Sequence, residues 1–179
     1  NFAPLFRKLL SDVLDDILAS VPKDKIDHRI TRFKKNMKYN ELDDISSPTG
    51  VKGIWKYMEK KDKENSSVFT TFKKGTPVHV KAAIAYNDLV RYFKQDKKYQ
   101  FINNGDKIRW VYLKNNVLGL NAVAYKGHED PPEIMEFINK NINHDKIYGQ
   151  ALTKKLQMFY DCLDWGKPVD EEQSIERFF

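Results

Sequence analysis

The sequence predicts an α+β fold, mostly helical, with a small antiparallel β-sheet. Three observations lead there. Apolar residues recur at spacings of three and four near both ends of the chain, the stripe of amphipathic helices. One stretch, KIRWVYLK, instead alternates apolar with polar or aromatic positions behind an NNGD turn, as a half-buried strand does. Between the two kinds of pattern the composition changes to glycine, serine, proline and lysine.

Taken in order, Phe2, Leu5, Phe6, Leu9, Leu10, Val13, Leu14, Ile17 and Leu18 line one face of a first helix, with Pro4 acceptable in its first turn and an end near Val21-Pro22. A second helix is expected from about Asp24 to Lys38, with Ile26, Ile30, Phe33 and Met37 inward and a basic outer face. The segment from Ser46 to Gly75 reads SSPTGVKG, KKDKENSS and KKG, and is expected to be exposed and mobile. A helix follows Pro77, with Val80, Ile84, Leu89 and Phe93 set among alanines. The strand KIRWVYLK comes next, and LNAVAY at 120–125 is its expected partner. Pro131 and Pro132 head a short helix. A long closing helix follows, with Ile147, Leu152, Leu156, Phe159 and Leu163 inward. This divides the chain into a helical base at 1–45, a basic loop, helix and strand region at 46–126, closing helices at 131–165 and a tail at 169–179.

The chain has 179 residues, 41% hydrophobic and 13% aromatic, enough to bury a core. Its one cysteine, Cys162, allows no internal disulfide and sits in FYDCLDW, where a buried thiol in a reducing compartment is expected. No apolar run approaches the roughly 20 residues needed to cross a bilayer, so no membrane partner and a cytoplasmic location are expected. A helical rhythm running almost from Asn1, which is not a methionine, reads as a piece of a longer chain.

The net charge of +6 is unevenly spread. Residues 52–114 hold 15 Lys/Arg against 6 Asp/Glu, whereas residues 115–179 hold 7 against 11. The middle of the chain is therefore the candidate for a polyanion, and the acidic last third is not.

Catalytic patterns are absent: there is no phosphate-binding G-x-x-x-x-G-K-[ST], no G-x-G-x-x-G, no H-E-x-x-H and no cysteine pair for zinc. His28, His79, His128 and His144 are scattered, and the paired carboxylates are neighbours that point apart. No catalytic and no metal-ligating residue is assigned, and no cofactor is expected in this chain. FKKGTPVHVKAAIAYN is the informative stretch. Lys73 and Lys74 precede a glycine turn into a helix start, where unpaired amides beside His79 and Lys81 suit phosphate. Lys107, Arg109 and Lys114 on the strand form a second basic cluster, expected to share a face with the first. Trp55, Tyr57, Tyr86 and Trp110 are candidates to stack on bases. The plain alternative is that lysines cover a solvated surface and that these rings belong to the core.

GTPVHVKAAIAYN, then NNGDKIRWVYLK, then YGQALTKKL, the Trp165-Gly166 pair and a diphenylalanine ending occur in an order that resembles the C-terminal thumb of family B DNA polymerases of T-even-like bacteriophages. The resemblance covers nearly the whole chain. It implies a mostly helical, thumb-like subdomain that wraps primer–template duplex through its backbone and minor groove. His79 and Lys81 match the family's helix start, with Ala82 where the family has glycine, and Lys154 and Lys155 match a basic position on the last long helix. The family's catalytic carboxylates, with their Mg²⁺, lie in the palm of the parent chain. The resemblance also implies a sliding clamp as partner. Ile175, Phe178 and Phe179 have the spacing of a clamp-docking peptide, although Gln173 falls one place later than such peptides place it. Besides primer–template DNA and the clamp, the remainder of the polymerase chain would be a partner, in the host cytoplasm. A free-standing, non-enzymatic nucleic-acid-binding or clamp-adaptor protein is the alternative.

Overall fold

Both ends of the chain fold into one helical unit, Phe2–Ile45 with His144 onward, and the intervening Ser46–Asn143 forms a second unit around the sheet. The computed structural model describes residues 2–59 and 69–169. The fold is α+β and mostly helical, as the periodicities predict.

In the helical unit, α1 (Pro4–Leu18) has proline as its first helical residue, where the missing amide costs nothing. It buries Phe6, Leu9 and Val13, while Leu14 and Leu18, expected on the same face, are exposed. The chain leaves α1 through Ser20 at φ +58°, with the Val21 amide donating to the Asp16 carbonyl at 2.9 Å and the Ser20 amide to Ile17 at 3.0 Å. That is a Schellman ending built on a non-glycine residue. α2 (Lys23–Asn36) buries Ile26, Asp27, Ile30 and Thr31 and runs into a 3-10 turn, Met37–Tyr39, and the short α3 (Leu42–Ile45).

The long closing helix is interrupted. α6 (His144–Tyr148) passes into a π turn, Gly149–Thr153, before α7 (Lys154–Cys162). One wide turn rotates everything after it, which is why the inward set becomes Ile147, Leu152, Leu156 and Tyr160. Phe159 is only half-buried and Leu163 is exposed, against expectation. The same rotation leaves the Cys162 thiol exposed rather than buried.

In the sheet unit, β1 (Ser47–Gly50), β2 (Lys107–Tyr112) and β3 (Ala122–Tyr125) form an antiparallel sheet with β2 in the centre. α4 (Val78–Tyr92) packs on β3 and β2. Every residue from Ala82 to Val90 is buried, so α4 is enclosed on all sides, which its run of alanines allows. The two polar residues within that run are satisfied. Asn87 clasps the Ile102 backbone with a 2.7 Å and a 2.9 Å bond, and Asp88 accepts the Thr70 amide at 2.7 Å and its hydroxyl at 2.9 Å.

Two expectations are corrected here. The segment after Ser46 is not uniformly exposed: it supplies an edge strand and buries Ser46, Val51 and Ile54, with the Ser46 and Tyr125 hydroxyls 2.7 Å apart. The helices expected together at 131–165 are shared between the units. α5 (Pro132–Asn141) packs on α4, and its end is tied to the sheet by Lys114 N–H donating to Asn141 at 2.7 Å and Asn143 N–H to Tyr112 at 2.9 Å. No described helix is long and apolar enough to cross a membrane.

Candidate nucleic-acid interface

The lysines before α4 are gathered by backbone pairing that joins three separate stretches of sequence. β1 pairs with β2 so that Gly50 lies opposite Lys107 and Pro48 opposite Arg109. Beyond the strand the pairing continues: the Val51 amide donates to the Asp106 carbonyl at 3.0 Å and the Gly105 amide to the Val51 carbonyl at 2.7 Å. Lys52 therefore stands beside the Lys107 end of β2. Gly53, at φ +70°, turns the chain there, a conformation that glycine adopts without steric cost, and its amide donates to the Asn104 side chain.

A 3-10 turn, Ile54–Lys56, follows and packs against α4. The next residues pair with the segment that leads into α4. Lys73 N–H donates to Tyr57 at 3.0 Å and Glu59 N–H to Thr71 at 3.1 Å, while the Lys73 ammonium donates to the Lys56 carbonyl at 2.8 Å. Lys73 to Thr76 form a tight turn, with Gly75 at φ +81° and both the amide and the hydroxyl of Thr76 donating to the Lys73 carbonyl. Pro77 then caps α4. The amides of Val78 and His79 carry no intrahelical bond, as at any helix start. Lys81, on the first turn, holds its ammonium 5.9 Å from the Phe72 ring centre.

The structure thus brings Lys73, Lys74 and Lys81 together, beside a half-buried His79. It adds Lys52 and Lys56, which no sequence motif singles out. The signal that could have found them was a strand pairing across residues 47–50 and 107–110, hidden in a Ser-Pro-Thr-Gly stretch that has the composition of a turn. Lys107 and Arg109 share one side of β2 by its period of two. Lys114 has the opposite parity and lies past the other end of the strand, so the expected single basic face excludes it. Lys154 and Lys155 belong to the helical unit, on the first turn of α7, with the Lys155 ammonium 4.8 Å from the Phe2 ring centre.

The aromatic candidates separate clearly. Tyr86 is 0% exposed and cannot stack on a base; it fell among the candidates because its place in α4 is set by tertiary packing. Trp110 packs edge-on against Tyr112 at 5.0 Å, and Tyr57 lies half-buried with the Lys56 ammonium 5.7 Å from its ring centre. Trp55 is 75% exposed.

Ile175, Phe178 and Phe179 lie outside the described residues, as do Lys60, Lys61 and Lys63. Among the described residues, no group of three His, Cys, Asp or Glu side chains could hold a metal ion. No protein-family model matches the chain, nor does any curated protein.

Proposed function

We propose that this chain is the DNA-gripping thumb of a family B DNA polymerase of the T-even-like phage type, holding duplex through backbone phosphates. The observation that carries the nucleic-acid reading is the gathering of Lys52, Lys56, Lys73, Lys74 and Lys81 around the turn into α4, with Lys107 at its sheet end. Cations held at several fixed points recognise charge spacing rather than base identity. The resemblance of the ordered motifs supports the polymerase assignment, in which the catalytic carboxylates and their Mg²⁺ belong to the remainder of that chain.

The test is a titration of the chain with duplex DNA at rising salt. Engaging about six phosphates gives a log–log slope near −5, and an affinity indifferent to salt would sink the phosphate grip. Charge reversal at Lys73 and Lys74 is expected to weaken binding to all sequences alike. A polymerase assignment further predicts an upstream reading frame carrying paired metal-binding aspartates, whose absence would leave a stand-alone binding protein.

The tail extends the same reading. Ile175, Phe178 and Phe179 are proposed to plug a sliding clamp, with roughly 5–8 kcal/mol of gross burial, much of it offset by ordering. Deleting residues 175–179 should abolish clamp binding and leave DNA binding unchanged.

A further inference from the structure

The turn that carries Lys56 also carries a tryptophan that the core does not claim. Trp55 is 75% exposed, whereas its neighbour Ile54 is 7% exposed and Val51 is 0%. The buried pair anchors the turn, and the backbone is fixed on both sides. Val51 pairs with Gly105 and Asp106, the left-handed Gly53 is held by the Asn104 side chain, and the Lys56 carbonyl accepts the Lys73 ammonium. An indole this exposed is left outside by a backbone that is itself held, not by a wandering loop. Its setting is cationic as well as apolar, because Lys52, Lys56 and Lys73 surround the turn. A flat ring set among lysines suits a ligand that presents both a π face and phosphates, and a nucleotide base with its backbone is such a ligand.

We propose that Trp55 stacks on an unpaired or terminal base of the nucleic acid gripped by the lysines around it, so that this edge prefers a duplex with a single-stranded overhang to a blunt one. The proposal rests on the nucleic-acid reading above and deepens it: the lysines supply affinity and the ring supplies recognition of strand end. Phosphate binding cannot make that distinction, because both substrates present the same duplex backbone.

The experiment uses the full chain, with Trp110→Phe and Trp165→Phe so that Trp55 is the emitting indole, titrated with an overhang duplex and its blunt counterpart. Emission is expected to be quenched by the overhang duplex in step with binding. Trp55→Ala in the natural background should cost about tenfold in affinity for the overhang and less than about twofold for the blunt duplex, with the salt slope unchanged. Trp55→Phe should recover part of the loss, and because the side chain is exposed, folding is not at stake. Equal losses on both substrates, or none, with salt-dependent binding intact, would overturn stacking while leaving the phosphate grip standing. Absence of binding by the natural chain even at low salt would instead remove the grip itself. Emission indifferent to either DNA would point to a protein partner for this ring and would also overturn the proposal.

Discussion

Two buried tyrosines have opposite worth. Tyr160 is 0% exposed and its hydroxyl donates to Asp27 at 2.6 Å, while Lys23 donates to the other carboxylate oxygen at 2.7 Å. Tyr160→Phe leaves a buried carboxylate oxygen without its donor, and should cost roughly 1–3 kcal/mol in urea unfolding at neutral pH. Tyr86 is equally buried but makes no hydrogen bond of normal geometry, although the Asp130 carboxylate lies near enough to help keep the phenol protonated. The Asp130 oxygens already accept the Lys126 and Gly127 amides, both at 2.8 Å. Tyr86→Phe is therefore expected to change stability by less than about 0.5 kcal/mol. Burial first, and the nearby carboxylate second, raise both phenols well above the ordinary 10.0. Above pH 10 an unfolded chain loses these protons while the folded chain keeps them, so the unfolded state binds fewer protons and stability falls as pH rises. Below pH 10 the contribution is fully present. Either substitution should flatten the alkaline decline, by at most about 1.4 kcal/mol per pH unit for each phenol. Urea midpoints measured from neutral to strongly alkaline pH check this, and parallel curves for natural and Phe chains would contradict it.

Three helices end in the same way without the residue that usually permits it. α1, α4 and α7 leave through Ser20, Lys94 and Asp164 at φ +58°, +55° and +53°, each followed by an amide that reaches back to the last turn. At α7 that amide is Trp165, bonded to the Tyr160 carbonyl at 3.0 Å, and its indole packs edge-on against the Tyr160 ring at 5.4 Å, the apolar contact that accompanies a Schellman ending. A left-handed position strains any residue with a Cβ, so Lys94→Gly should stabilise the chain by about 0.5–1 kcal/mol, because the strain relieved outweighs the added freedom of the unfolded chain. A fall in the urea midpoint would show that the Lys94 side chain contributes more than the strain it imposes. These endings mark the limit of what is legible in the sequence. Helix bodies were, because Phe6, Leu9 and Val13 or Ile26 and Ile30 repeat at helical spacing. Their glycine-free stops and the π turn were not, since hydrogen-bond geometry sets them rather than residue type. β1 was hidden because Ser-Pro-Thr-Gly becomes a strand only through the β2 edge beside it. The site followed the same division: Lys73, Lys74 and Lys81 are near neighbours in sequence and could be read together, whereas Lys52 and Lys56 join them through that pairing.

Over the whole molecule, charge follows the division into units. Ser46–Asn143 holds 17 Lys/Arg against 10 Asp/Glu, while the remainder holds 14 against 15, so the excess of positive charge resides in the sheet unit. A polyanion drawn by long-range field is therefore drawn to that unit, and each phosphate neutralised there releases counterions and steepens the salt dependence. Reversing Lys52, Lys56, Lys73 and Lys74 to glutamate in the full chain removes the cations nearest the turn into α4. Among these, Lys73 alone has a structural bond to lose, its 2.8 Å hydrogen bond to the Lys56 carbonyl, and that bond is exposed. The fold should survive, and far-ultraviolet circular dichroism should confirm it. Duplex affinity should fall and the log–log salt slope should become shallower by about 0.9 for each phosphate no longer neutralised, reaching near −1.5 if four of about six are released. Reversing Lys154 and Lys155 on α7 is the matched control in the other unit. If α7 also touches the duplex, as the resemblance implies, the slope should flatten by up to about 1.8, no more than half the change from the turn lysines. A larger change from the α7 pair than from the four turn lysines would move the principal grip to the helical unit.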